Sequence, residues 1–117
     1  MNGYEICKSA FLRLGFDNEN AVSLHKNTTM RDFEFINQIA EDLSLTPIET
    51  MSQEIIWNKK QTEAVISGVA MLLCFIEGEN NKSQVFTSIY NARRASLLGE
   101  TAKIKDTLPV AEGGDVL

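Results

Sequence analysis

The 117-residue sequence predicts an all-α fold, a small helical bundle built on a central antiparallel helix hairpin and ending in a flexible C-terminal tail. Three observations predict it. Apolar residues recur at three- and four-residue spacings in separate stretches, the period of helices that each bury one face. Glycines stand where the stretches stop, at Gly15, Gly78 and Gly99, positions where a residue free to adopt positive φ ends a helix. The segment Gln61–Leu98 holds two such stretches joined by a short polar turn, which favours antiparallel neighbours.

Taken in order, Tyr4–Leu14 places Ile6, Cys7, Ala10, Phe11 and Leu14 on one face, and Gly15 caps it. Phe16 to Thr29 is polar apart from Val22 and Leu24 and reads as a loop with one turn of helix. Thr28 or Thr29 is placed to cap a second helix, Met30–Leu43, whose inward face is Phe33, Ile36, Ile39, Ala40 and Leu43. Asp32 and Glu34 fall near the positive end of its dipole. Pro47 lacks an N–H and biases Thr46 toward an extended conformation, so this helix cannot run on. Ile55, Ile56 and Trp57 form a short extended piece expected to pack on the bundle.

The first limb of the hairpin, Gln61–Glu77, aligns Ala64, Val65, Val69, Leu72, Leu73 and Ile76, while Gly68 and Ala70 let a neighbouring backbone approach closely. Gly78 turns the chain, and the second limb, Asn81–Leu98, aligns Val85, Phe86, Ile89, Tyr90 and Leu97. Gly99 is expected to end it. Residues 1–100 then make one domain, and 101–117 a tail that is flexible in an isolated subunit.

Composition narrows the function. Hydrophobic residues make up 44% and charged residues 23%, the balance of a globular protein rather than a disordered one. The longest apolar run, Val69 to Ile76, is far short of the roughly 20 residues that span a bilayer, and the N-terminus has no basic region leading into an apolar one. A cytoplasmic protein is expected, with Cys7 and Cys74 as reduced, buried thiols. The net charge of -5 is segregated. Residues 1–58 carry nine acids against four bases, residues 59–105 seven bases against four acids, and Asp106, Glu112 and Asp115 make the end of the chain acidic. Opposed patches of this kind steer subunits or partners into register, or are simply solvated surface.

No constellation for catalysis is present. His25 is the only histidine, in a polar stretch without a second strong ligand nearby, so neither a metal site nor a serine or cysteine nucleophile with a base is expected. The glycines are isolated and form no phosphate-binding loop. The reading is therefore not an enzyme, with no cofactor and no metal. Asp42-Leu43-Ser44-Leu45 has a leucine between acid and serine and reads as a helix C-terminus with Leu43 and Leu45 inward, not as a prosthetic-group attachment site. The acids on the second helix also disfavour a DNA-reading helix. Arg93 and Arg94 follow Tyr90 by three and four positions, forming a small cationic patch or laying their stems over the ring.

The order of elements is itself informative: a short helix, a helix ending in Ile39-Ala40-Glu41-Asp42-Leu43, a Pro-containing connector, and then the hairpin. With Gly68-Val69-Ala70-Met71-Leu72-Leu73, Glu77-Gly78-Glu79, Lys82, Phe86, Tyr90-Asn91, Arg93-Arg94 and Lys103 to Pro109, the chain resembles the small head-tail connector, or neck adaptor, proteins of tailed phages and prophages. The resemblance implies a structural subunit of the virion neck, assembled in the cytoplasm of a bacterial host. It implies self-association into a ring, commonly of twelve, below the portal protein, with a further neck or tail protein on the other side. DNA would pass through the lumen without sequence-specific binding, for which an acidic chain is suited. The resemblance also implies that the C-terminal segment inserts against the portal. Lys103, Ile104 and Lys105 put one apolar anchor between two cations, and Leu108-Pro109 adds a second anchor and a bend. With Arg93 and Arg94, these are the candidate assembly residues. The alternative is a small helical regulatory module that binds one partner and forms no ring.

Overall fold

The computed structural model describes the backbone of residues 1–15, 18–78 and 80–107, and the side chains of 1–15, 29–76, 78 and 81–99. Its regular structure is entirely α-helical: α1 (Gly3–Arg13), α2 (Asn18–Asp42), α3 (Lys59–Glu77) and α4 (Asn80–Thr107). The all-α hairpin architecture expected from the periodicity is what the chain adopts.

Helix starts are set by reciprocal capping. Asn2 accepts from the Glu5 N–H at 3.0 Å while the Glu5 carboxylate accepts from the Asn2 N–H at 2.9 Å. Asn58 and Gln61 repeat the arrangement at the start of α3, at 2.8 and 2.9 Å, each pair satisfying two otherwise orphaned donors. The hairpin turn follows the glycine argument, since Gly78 caps α3 with φ 73° and donates its N–H to the Cys74 carbonyl. Helix α2 ends without glycine. Ser44 takes φ 60°, the Leu45 N–H reaches back to the Ala40 carbonyl at 2.8 Å and the Ser44 N–H to Glu41 at 3.1 Å, the paired bonds of a Schellman motif.

Helix α3 is the axis of the fold. Every residue from Ala64 to Ala70 is buried, as it must be for a helix with α1, α2 and α4 all packed on it. Gly68 lies where three helices converge: a Cβ there would stand 2.7 Å from Ile39 Cγ2 of α2 and 2.9 Å from Tyr90 Cε1 of α4. The close approach at this glycine is made by side chains and not by the neighbouring backbone that was expected.

Four expectations are corrected. Within the stretch Phe16 to Thr29 expected as a loop, the backbone from Asn18 is the first part of α2, and Thr28 and Thr29 lie inside that helix rather than capping it. The segment contains no proline or glycine, and its polar residues each cost a helix only tenths of a kcal/mol, roughly. Gly99 does not end the second limb, which continues to Thr107. This glycine has open space around it and φ outside the positive region, so only its propensity cost of about 1 kcal/mol opposes the helix. Ile76, Val85 and Ile89 were expected inside but are 50%, 55% and 36% exposed, Ile76 because it lies in the last turn of α3 next to the hairpin bend and the other two because α4 is covered on one side only. Of Ile55, Ile56 and Trp57, the outer two pack on the core while Ile56 is exposed, the alternation an extended strand of chain imposes.

Residues 43–58 are held without regular structure by side chains standing in for backbone partners. The Asn37 amide donates to the Ile48 carbonyl at 3.0 Å and accepts from its N–H at 2.8 Å. Gln53 Oε1 accepts from the N–H groups of Glu49 and Thr50, and Trp57 Nε1 donates to the Thr46 carbonyl. The start of the chain is stitched on as well, by Gly3 N–H to Met51 O and Ile55 N–H to Met1 O, both 2.9 Å.

Candidate assembly surface

The two arginines after Tyr90 do not form one patch. Positions three and four after a residue flank it on a helix, and here each arginine meets a different environment. The Arg94 Nε donates to Asp42 Oδ2 at 2.8 Å, and the Tyr90 hydroxyl donates to the same oxygen at 2.5 Å. Asp42 is the last residue of α2, so this trio fastens the middle of α4 to the end of α2. The hydrogen bond from Tyr90, helped by the bond and charge of Arg94, holds the Asp42 carboxyl below its usual range against the opposing effect of burial, which ranks second only to the Tyr90 bond. Burial, followed by the Asp42 hydrogen bond and charge, pushes the Tyr90 phenol up, so the phenol remains a donor. Arg93 is half-buried, and its Nε is shielded from solvent without a hydrogen-bond partner.

Beside the trio lies an open groove of about 520 Å³ lined by Gln38, Ile39, Glu41, Asp42, Met71, Leu72 and Tyr90. Its floor is apolar and its α2 rim acidic. A second groove, about 580 Å³, runs along the other side of the same α2 turns, between Glu34, Gln38, Glu41 and the connector residues Leu45 and Pro47. Glu34 and Glu41 are exposed and carry no ion pair among the described residues.

Lys103, Ile104 and Lys105 lie on the last turns of α4, with their side chains outside the described residues, and Leu108 and Pro109 lie outside them altogether. The placement of α4 is nevertheless informative. Tyr90 is level with Gly68, nine residues from the start of α3 and seventeen from the end of α4. At 1.5 Å per residue, α4 outruns α3 by roughly 12 Å.

Sequence reasoning missed Asp42, treating it as part of a helix terminus; no local signal links it to Tyr90 and Arg94. It placed Asp32 at the start of a helix, whereas Asp32 lies in the middle of α2, wholly buried, and accepts from Arg31 Nη2 at 3.2 Å. Burial, and then the Asp32 charge, pushes the Cys7 thiol up, against a smaller pull from Arg31, which suppresses the reactive thiolate. Cys7 and Cys74 are both buried, and neither is in a disulfide. Among the described residues no group of three His, Cys, Asp or Glu side chains could hold a metal ion, and no helix is long and apolar enough to cross a membrane. The side chain of His25 is outside the described set.

The residues that carried the resemblance thus occupy packing and turn positions: Gly68 and Tyr90 at the helix junction, Gly78 at the hairpin, and Lys82 donating to the Leu14 carbonyl at the end of α1 at 2.7 Å. No protein-family model, no curated protein and no solved structure matches the chain.

Proposed function

We propose that this chain is a head-tail connector subunit of a tailed phage or prophage, which assembles into a ring below the portal and lengthens the DNA channel. The observation that carries the reading is α4, whose last turns outrun α3 by roughly 12 Å, as a subunit that reaches a neighbour or a portal requires. The resemblance in residues 68–94 supports it, since those residues build the hairpin on which α4 is presented. In this reading the rigid part is the α1–α3 body. The segment holding Lys103, Ile104, Lys105, Leu108 and Pro109 is the assembly element, through which a subunit reaches a neighbouring subunit or the portal, and the Asp42–Tyr90–Arg94 trio fixes the direction in which α4 leaves. The net negative charge of the chain gives the conduit little affinity for phosphate.

The test is to co-purify the full chain with the portal protein encoded in the same genome and image the product by electron microscopy. A ring stacked on the portal is the expected result. A full-length chain that fails to bind that portal at micromolar concentrations, or a gene lying among regulatory rather than capsid and tail genes, overturns the reading in favour of a single-partner helical module.

A further inference from the structure

Two features of the surface are complementary. The groove between α2, α3 and α4 has an apolar floor, Ile39, Met71 and Leu72, and its acidic rim residue Glu41 carries no ion pair among the described residues, nor does Glu34 one groove over. The last turns of α4 carry the opposite pattern in their sequence, an isoleucine between two lysines at 103–105, and extend beyond α3 with no helix of the hairpin alongside.

We propose that the end of α4 from one copy docks in the Ile39–Leu72 groove of a second copy, Ile104 meeting the apolar floor and Lys103 and Lys105 meeting Glu41 and Glu34. This rests on the ring-forming reading and names the contact by which the ring closes. Charge complementarity selects the sequence, and geometry selects the second copy. Arg94 stands at the edge of the groove, bonded to Asp42, and α4 continues as helix from there to Thr107. Lys103 and Lys105 are therefore roughly 14 and 17 Å farther along a helix that leads away from its own groove. To enter it, the chain would have to break α4, and the first proline after Arg94 is Pro109. A neighbour's groove needs no such break. Because donor and acceptor surfaces differ, the contact is head-to-tail, and repetition of it closes a ring or runs on as a filament.

Light scattering on the full-length chain across concentration and salt tests this. Self-association is expected, weakening as ionic strength rises because the charges are exposed. Lys103→Glu with Lys105→Glu should weaken it at least tenfold, and Glu34→Lys with Glu41→Lys likewise, each variant keeping the wild-type thermal melt. Mixed together, the two variants should associate again, since each then offers a charge-matched end for the other's groove. A chain that stays monomeric to millimolar concentration, charge reversals without effect, or a mixture that does not recover would each overturn the assignment. Portal binding is scored separately: charge-reversed chains that still form portal-bound rings overturn the groove contact alone, whereas a wild-type chain that never binds the portal overturns the ring reading.

Discussion

Helices α3 and α4 are the two limbs of one hairpin and are attached to the fold in different ways. Along α3, every residue from Ala64 to Ala70 is buried whatever its position on the helical wheel; along the longer α4, Tyr90 is the one buried residue among the described side chains. Both limbs show the same three- and four-residue apolar spacing. The difference lies in the neighbours, three helices around α3 and cover on one side only for α4. Periodicity therefore identifies a helix and its apolar face, while the depth of burial is decided by what the rest of the chain supplies. Helix α3 is fixed by apolar area, and α4 by a thin apolar contact plus one polar fastening.

The sharpest way to break this comparison is to truncate one side chain on each limb. Leu73→Ala, at a position with no exposed surface, should cost about 2–5 kcal/mol in denaturant unfolding. Ile89→Ala on α4 should cost less than about 1 kcal/mol, and equal losses would show that the limbs are held alike. Next comes the junction between them. Gly68→Ala forces a Cβ to within 3 Å of Ile39 and Tyr90, and overpacking of this kind should cost about 1–3 kcal/mol. Ser67 lies beside it, buried with no partner for its hydroxyl. Ser67→Ala should stabilise the fold by about 1 kcal/mol, by removing a desolvated group that makes no bond. The smallest effect belongs to the fastening of α4. Asp42 and Arg94 are both 43% exposed, so Asp42→Asn should cost about 1 kcal/mol or less. Its pH signature is more telling. The folded-state carboxyl titrates below its ordinary value of 3.8, so its contribution is present above that value and is lost as pH falls through the lower folded-state value. A stability-versus-pH curve for wild type should drop more steeply in that acidic window than the curve for Asp42→Asn.

The same contrast explains what the sequence could and could not reveal. Gly78 and the apolar spacing on either side of it were enough to place the hairpin, because a helix stop and a helical period are local signals. Gly99 looked like a second stop, yet a single glycine in an exposed helix costs too little to end it. The start of α2 was hidden for the opposite reason: Asn18 to Thr29 offers few apolar residues to mark a face, and the helix there is an extension of the packed part from Phe33 onward. At the candidate surface, Arg93, Arg94 and the Lys103–Lys105 segment could be named from charge alone. Asp42 could not, since its tie to Tyr90 spans 48 residues and depends on how α2 and α4 cross at Gly68. The exposed Glu34 and Glu41 were visible as acids, but their place beside an apolar-floored groove is a product of the packing.

The stitched connector has a consequence for how the molecule opens. Residues 43–58 link the Asn37 amide on α2, the backbone of Met1 and of Gly3 at the start of α1, and the Asn58 cap of α3. A segment tied to three helices in this way cannot fray alone, because freeing Ile48 or Met51 strands the amides that held them. In native-state hydrogen exchange, the amides of Gly3, Ile48 and Ile55 should exchange together as one cooperative unit, slower than those of the outer turns of α4, although all but Gly3 belong to a stretch without regular secondary structure.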